Sequence, residues 1–455
     1  MRFTPVPSLG RLLVIAAVIA RVATALTIDI NDEQSIKDAA SKTAYGSMTW
    51  YSGNDTGGIP GAFPEKWWEG SALFMSLLLY WHYTGDDTYN PQVSQGMQWQ
   101  AGNGDYMPAN YSSYLGNDDQ VFWGLAAMTA AEIQFPDVDG GFSWLSLAQG
   151  VFNTQIARWD PTNCGGGLRW QIFPYQAGYA MKNSISNGGL FQLAARLARY
   201  TNNDTYADWA EKVWDWSASS PLLNNKTWNV ADSTDIANGC KTQGNNQWSY
   251  NYGAYLTGAA YMYNHTEKSN WKDAVDGLLG VTLDKFFPKK YGSNIMSETL
   301  CEPAEACNDN EILFKGLVTG WLAFIALLIP STYDQILPKL QGSAQAAAQS
   351  CSGLTNNTCG VRWYESKWDG WVGMEEQIIA TDVLSSSLLS KGVAPVTSTT
   401  GGTSKSDPNA GGSDASSKQG QPKPITTGDK AGAGILTVVF IGLWGGMIAW
   451  LFIGN

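Results

Sequence analysis

The sequence predicts an all-α fold, a six-hairpin (α/α)6 barrel, on three observations. A short pattern recurs in which an apolar helix ends at an aromatic residue, a polar turn follows, and a second aromatic opens the next helix. The apolar stretches before these turns carry helical spacing, and strand-like alternation is scarce. The turns recur at multiples of about sixty residues, as stacked supersecondary units do. An open solenoid of the same hairpins is the alternative.

The first hairpin places Ala72, Leu73, Met75, Ser76 and Leu79 on one helix face and ends at Tyr80, before the turn Tyr83-Thr84-Gly85-Asp86 and the next aromatic, Tyr89. In a later copy Leu190, Leu193, Ala194, Leu197 and Ala198 share a face that ends at Tyr200, with Asn202-Asn203-Asp204 as the turn and Tyr206 beyond it. A third copy runs from Tyr263 through a polar turn to Trp271. Further apolar helices are expected over 121–133 and 314–329. Small residues crowd these faces, so the helices can pack closely. His82 and His265 fall on the repeated turns and are expected at the surface, and Asp86-Asp87 are expected to be solvated caps.

Composition bounds the function. The chain has 455 residues, with 28 basic against 40 acidic side chains and a net charge of −12. Nucleic-acid binding needs clustered Lys and Arg, so this balance argues against it. Two His disfavour a His-rich metal site or a Ser-His-Asp triad. No metal constellation is evident, and no cofactor is expected. The outlier is 21 Trp, with 20 Tyr and 15 Phe beside them.

The two ends read as addresses. Residues 1–25 hold Arg2 and Arg11, an apolar run over 12–20, and Ala23-Thr24-Ala25, in the order of a signal peptide. One domain is expected over 26–394. Residues 395–430, rich in Ser, Thr, Gly, Pro and Lys, read as a stalk. Residues 431–455 read as a GPI-attachment tail, with Gly411, Gly412, Ser413, Asp414, Ser416 and Ser417 as candidate attachment sites. The six cysteines suit an oxidising compartment. Short intervals favour Cys301–Cys307 and Cys351–Cys359, which leaves Cys164–Cys240. Six sequons begin at Asn54, Asn110, Asn203, Asn225, Asn264 and Asn356.

The most pointed chemical feature is Asn117-Asp118-Asp119-Gln120, with Gly116 before it and Tyr111, Tyr114, Phe122 and Trp123 around it. Asn117 is the expected N-cap of the following helix, which puts both Asp in its first turn. Acidic residues there also complement the helix dipole, the purely structural reading. Paired carboxylates in an aromatic cleft are what glycoside cleavage requires, one to attack or support the anomeric carbon and one to protonate the leaving oxygen. Aromatic candidates for such a cleft are Trp50-Tyr51, Trp67-Trp68, Arg169-Trp170, Trp248 with Tyr250-Asn251, and Trp363-Tyr364 with Trp368 and Trp371. Asp232 and Glu375-Glu376 are weaker acidic candidates.

Taken in order, Trp50-Tyr51, Trp67-Trp68-Glu69, Asn117-Asp118-Asp119-Gln120 with Trp123, Gly166-Gly167-Leu168-Arg169-Trp170, Asn187-Gly188-Gly189-Leu190, Asp232 and Tyr250-Asn251-Tyr252-Gly253 resemble glycoside hydrolase family 76, the α-1,6-mannanase family, over roughly residues 30–385. The leader, stalk and tail make the chain similar to the family's fungal, membrane-bound branch. The resemblance implies an (α/α)6 barrel and retaining cleavage of α-1,6-mannosides, with Asp118 as nucleophile and Asp119 as acid/base. It implies substrate contacts from Trp50, Tyr51, Trp67, Trp68, Asn117, Trp123, Arg169, Trp170, Asn187, Asp232, Trp248, Tyr250 and Asn251. It also implies a monomer held by a GPI anchor at the outer face of the plasma membrane and cell wall. There it would transfer GPI-anchored proteins from an α-mannose-containing GPI glycan to wall glucan, the alternatives being plain endo-hydrolysis of α-1,6-mannan or non-catalytic binding of mannosides in the wall.

Overall fold

The structure is a computed structural model that describes residues 24–63, 66–111, 113–354, 356–411 and 437. The expected leader and attachment tail fall almost wholly outside the described residues. Twelve α-helices follow in order: α1 (Glu33–Met48), α2 (Trp67–Thr84), α3 (Asn90–Trp99), α4 (Asn117–Glu132), α5 (Trp144–Ala157), α6 (Ser184–Thr201), α7 (Asp204–Ser219), α8 (Ser249–Thr266), α9 (Ser269–Phe286), α10 (Asp309–Leu328), α11 (Tyr333–Ser350) and α12 (Met374–Ser386). The even-numbered helices pack in cyclic order, α12 closing on α2, and the odd-numbered helices lie outside them. The predicted closed barrel is therefore the fold, and the open solenoid is not.

Burial explains the ring. Every residue of α12 is buried, and α10 is buried over nearly its whole length. A helix walled on all sides is apolar all round. For this reason α10 has the length and hydropathy of a membrane span while lying inside the barrel. Outer helices keep one apolar stripe, as α7 does with Tyr206, Ala210, Val213 and Ser217. Inner helices approach closely through small residues: a Cβ on Gly258 of α8 would lie 2.4 Å from the Phe191 ring of α6. One buried ion pair ties three inner helices together. Arg196 of α6 donates to Glu132 of α4 over 2.6 Å, and the Tyr261 hydroxyl of α8 donates to the same carboxylate over 3.0 Å.

The recurring sequence turn has a physical cause. α2, α6 and α8 each end in a left-handed residue, Gly85 (φ 79°), Asn202 (φ 50°) and Glu267 (φ 55°). The N–H of each bonds back to a carbonyl in the last helical turn, which stops the helix cleanly. His82 and His265, expected at the surface, are partly buried there instead. The His82 ring packs edge-on against Tyr83 and Phe324, and burial pushes its pKa down. Asp86, expected as a cap, instead holds the turn between Gly85, which ends α2, and Tyr89, which opens α3, accepting from the Thr88 N–H and the Tyr80 hydroxyl.

Three disulfides join Cys164 to Cys240, Cys301 to Cys307 and Cys351 to Cys359. The first staples the two loops that carry the short antiparallel strands β1 (Met181–Asn183) and β2 (Ser233–Asp235), paired Met181 to Asp235 and Asn183 to Ser233. All six sequon asparagines are exposed.

Composition assigned residues 395–430 to a stalk, yet the described part of that segment packs on the barrel. The Val396 N–H donates to Glu132 O and the Ser398 N–H to Tyr200 O, both over 2.9 Å. Further along, Ser404 meets Asp137, Asp407 N–H meets Gln149, and Asn153 donates to Pro408 O and Ala410 O. Ser, Thr and Gly content is a linker signal only where those groups lack partners on a neighbouring surface. Here the ends of α4 and α6, the loop after α4 and the outer face of α5 supply them.

Candidate active site

All six inner helices reach one end of the ring with their N-termini. α2, α4, α8 and α10 line a cavity of about 370 Å³ there, with Trp67, Trp68, Asp118, Asp119, Phe122, Tyr250, Asn310 and Phe314 on its walls. The cap of α6, Asn183, donates to Asp118, and Glu375 in the first turn of α12 lies 3.5 Å from Lys66. Helix N-termini carry partial positive charge, so converging six of them makes this end of the barrel a favourable place for carboxylates.

The Asp pair sits in the first turn of α4. The N-cap is Gly116, one residue earlier than the sequence suggested, and Asn117 is already helical. The Gly116 N–H donates to Asp119 Oδ2 over 2.6 Å. Asp118 takes the Asp119 N–H on Oδ1 at 3.0 Å and the Asn183 amide on Oδ2 at 3.3 Å. Both carboxyls crowd the space before Gly116, where a Cβ would lie 2.3 Å from Asp118 Oδ1 and 3.2 Å from Asp119 Oδ2. Burial raises both pKa values. Asp118 rises well above the carboxylate range, further pushed by Asp119, while Asp119 rises to about 6. The hydrogen bonds point the other way, because Asp118 receives two donors and Asp119 one. The two carboxyls therefore titrate as a pair rather than as separate groups.

The walls are aromatic. Trp67 lies between Tyr111 and Trp123, at 6.0 and 5.1 Å, and its indole N–H is anchored on Gln100. Trp68 tilts against Phe122 at 4.9 Å and donates to Asn310 Oδ1. Tyr250 stacks parallel to Phe314 at 3.6 Å, and the Phe122 ring lies parallel to it at 6.4 Å. Trp170, Gln171, Tyr114 and Leu115 complete the rim. Lys66 is the only cation lining the cavity among the described residues, and it is shared by Glu69, Asp309 and Glu375. Burial and the nearby Glu375 raise Glu69 to about 8, and burial raises Glu376 to about 7.

The structure thus brings Asp118, Asp119, Trp67, Trp68, Tyr114, Phe122, Trp170 and Tyr250 to one cavity and places the other sequence candidates elsewhere. Trp50 is half exposed outside it, and the buried Tyr51 hydroxyl accepts from the Gly61 N–H. Trp123 is core beneath Trp67, and Trp248 packs behind Phe314 at 5.7 Å. Asn187 is wholly buried and holds both backbone polar groups of Leu168. Arg169 pairs with Asp160 at 2.8 Å and covers the Tyr179 ring. Asp232 is not among the cavity's lining residues and accepts from Asn251 at 3.1 Å. Lys66, Asn310 and Phe314 were missed. Their only sequence signal is position, within the first turns of apolar helices or just before them.

Residues 35–399 match the family model Glycosyl hydrolase family 76. The chain is 43% identical over 437 residues to a mannan endo-1,6-alpha-mannosidase of Candida albicans, covering 94% of this chain and 96% of that one. It is 43% identical over 425 residues to one of Saccharomyces cerevisiae, covering 92% and 93%. Among solved structures, Dfg5 from Chaetomium thermophilum, in complex with glucosamine, is 43% identical with a TM-score of 0.80, over 84% of this chain and 97% of that one. An alpha-1,6-mannanase of Salegentibacter shares the fold at 16% identity, with a TM-score of 0.63 over 78% and 99%.

Proposed function

We propose, from the premise that the chain belongs to glycosyl hydrolase family 76, that this glycoside hydrolase is a retaining enzyme of the endo-α-1,6-mannosidase type, with Asp118 as nucleophile and Asp119 as acid/base. The observation that carries this reading is the pair of adjacent carboxyls sharing the space before Gly116 at the foot of an aromatic cavity. Adjacent side chains can meet the ~5–5.5 Å separation of a retaining pair, whereas inversion needs ~6.5–9.5 Å. The names of the similar fungal proteins support the α-1,6-mannoside as the bond attacked.

The chemistry then runs in two displacements. Asp118 has donors on both oxygens, which suits the charged form, and its carboxylate attacks the anomeric carbon. The glycosidic C–O bond breaks as the Asp119 carboxyl gives its proton to the departing oxygen. A glycosyl ester on Asp118 results. Asp119, now a carboxylate, takes a proton from the incoming hydroxyl, whose oxygen bonds the anomeric carbon and releases Asp118. Two inversions give net retention. Flat indole and phenol faces offer the apolar contact that the C–H faces of a pyranose need.

The incoming hydroxyl decides the biology. With water the enzyme hydrolyses mannan; with a sugar hydroxyl it transfers. We read the natural reaction as transfer, from an α-mannose-containing GPI glycan to wall glucan. The leader-like and tail-like ends support this reading, since they would hold the catalytic domain at the cell surface by a GPI anchor. The test incubates the enzyme with a GPI-core glycan and a β-glucan oligosaccharide. A joined product with retained configuration is expected. Reducing sugar alone, with no joined product, would leave hydrolysis and overturn transfer. Loss of turnover in both folded Asp118→Asn and Asp119→Asn is expected, and full activity in either removes the assignment of roles.

A further inference from the structure

We propose that Arg158, at the end of α5 and outside the cavity, is the positioning residue that sets the Asp pair against the wall of the cleft. The inference rests on the catalytic reading of the pair and extends it to a residue that never touches substrate. Asn117 immediately precedes Asp118, and each of its polar groups is engaged. Its N–H donates to Trp170 O over 2.8 Å and its side-chain amide to Arg169 O over 2.9 Å. Its carbonyl accepts from the Gln155 amide over 2.7 Å, and its Oδ1 accepts from Arg158 Nε over 2.8 Å. Asn117 is therefore the joint between two parts of the site, the Asp pair on α4 and the loop that carries Trp170 and Gln171.

Arg158 holds that joint from behind. Besides Asn117, it donates to Gln120, one helical turn along and wholly buried. Gln120 is also anchored to Asp105 O over 2.7 Å and to Thr154 over 2.9 Å. A guanidinium is planar with fixed donor directions, so gripping Asn117 and Gln120 together fixes both the depth and the rotation of the first turn of α4. Rotation matters because successive helical positions point ~100° apart, and a small turn would swing both carboxyls across the cavity. Arg158 forms no ion pair within 4 Å among the described residues. Burial lowers its pKa, and the Asp105 carboxylate acts against that lowering. It acts on the pair through the geometry of Asn117 and Gln120.

The test compares wild type with Arg158→Met, Arg158→Lys and Asn117→Ala on an α-1,6-mannoside. Misplacement by about 1 Å costs on the order of 10²-fold in rate. Arg158→Met is expected to lose 30- to 100-fold in kcat with KM within threefold, and Arg158→Lys to recover part of it. The pH–rate limbs should stay where they are. Asn117→Ala should lose a similar factor, and the double variant no more than the worse single one. Amide hydrogen exchange is the second readout, with faster exchange expected over residues 115–121 in Arg158→Met. Wild-type kcat in the folded Met variant overturns the proposal, as does a limb displaced by a pH unit or unchanged exchange over 115–121. Absence of turnover in the wild-type enzyme defeats the mannosidase reading instead, and the exchange measurement still decides the joint.

Discussion

The backbone N–H of Gly116 donates to Asp119 Oδ2 over 2.6 Å, so the cap of α4 and one carboxyl of the pair form a single unit. The bond fills the role of the return half of a capping box, with glycine where a side-chain cap usually stands. Glycine is required there for space, because its φ of −87° is open to any residue.

Gly116→Ala is accordingly predicted to fold and to lose most activity. The added methyl would lie 2.3 Å from Asp118 Oδ1 and must displace it. A shift of that size costs about 10²-fold in kcat. Steady-state kinetics beside a melting curve tests this. Wild-type kcat in a stable Ala variant would show that the carboxyl yields without consequence.

Stability should fall as pH rises from about 4 to about 8. Glu69, Glu298, Glu376, Asp382 and Asp119 all have pKa values raised by burial, to about 8, 8, 7, 7 and 6. Between the ordinary and the raised value the folded state binds more protons than the unfolded one, so each group's stabilisation is lost as pH climbs through that window. Asp86 and Asp160, whose pKa values are lowered, titrate below it, and His82, lowered by burial, opposes the trend as one group against five. Thermal melts at half-unit pH steps check this, and a Tm that climbs from pH 5 to 8 contradicts it.

Arg196→Met should destabilise the barrel by about 3–5 kcal/mol, because it strands the Glu132 charge among α4, α6 and α8. Replacing both partners, Arg196→Met with Glu132→Leu, should recover much of the loss, since two buried charges then disappear together. Urea unfolding of the three proteins measures it. A single variant within 1 kcal/mol of wild type would mean that Glu132 finds another partner.

Ending the chain after residue 395 rather than 411 should cost about 3–9 kcal/mol, at roughly 0.5–1.5 kcal/mol for each of six hydrogen bonds to the barrel. The contacts removed include those to Glu132, Asp137, Tyr200, Gln149 and Asn153. Equal urea midpoints for the two truncations would return this segment to the status of a linker.

Local features of this site were legible because they depend on neighbours in sequence. Helical spacing marked the inner helices, and left-handed stops at Gly85, Asn202 and Glu267 left a repeated turn. The pairing of Asp118 with Asp119 at a helix start needs no tertiary information. Which aromatic faces the cavity does need it. Trp67 and Trp68 both line the cleft, whereas Phe122 lines it and the adjacent Trp123 is buried beneath. Inner helices have no polar face to betray their rotation, so the packing of the whole ring sets it.

By itself the sequence determined the class of fold, the carboxyl pair and the aromatic wealth around it, because periodicity and adjacency are properties of a chain. Tertiary structure alone decided that Asn117, Asn187 and Asn251 brace the site from behind, and that Lys66, Asn310 and Phe314 cross the ring to complete it. The reason is physical. An amide beside a cleft can serve a sugar or a backbone equally well, and only closure of six hairpins into a ring determines which groups are left facing the cavity.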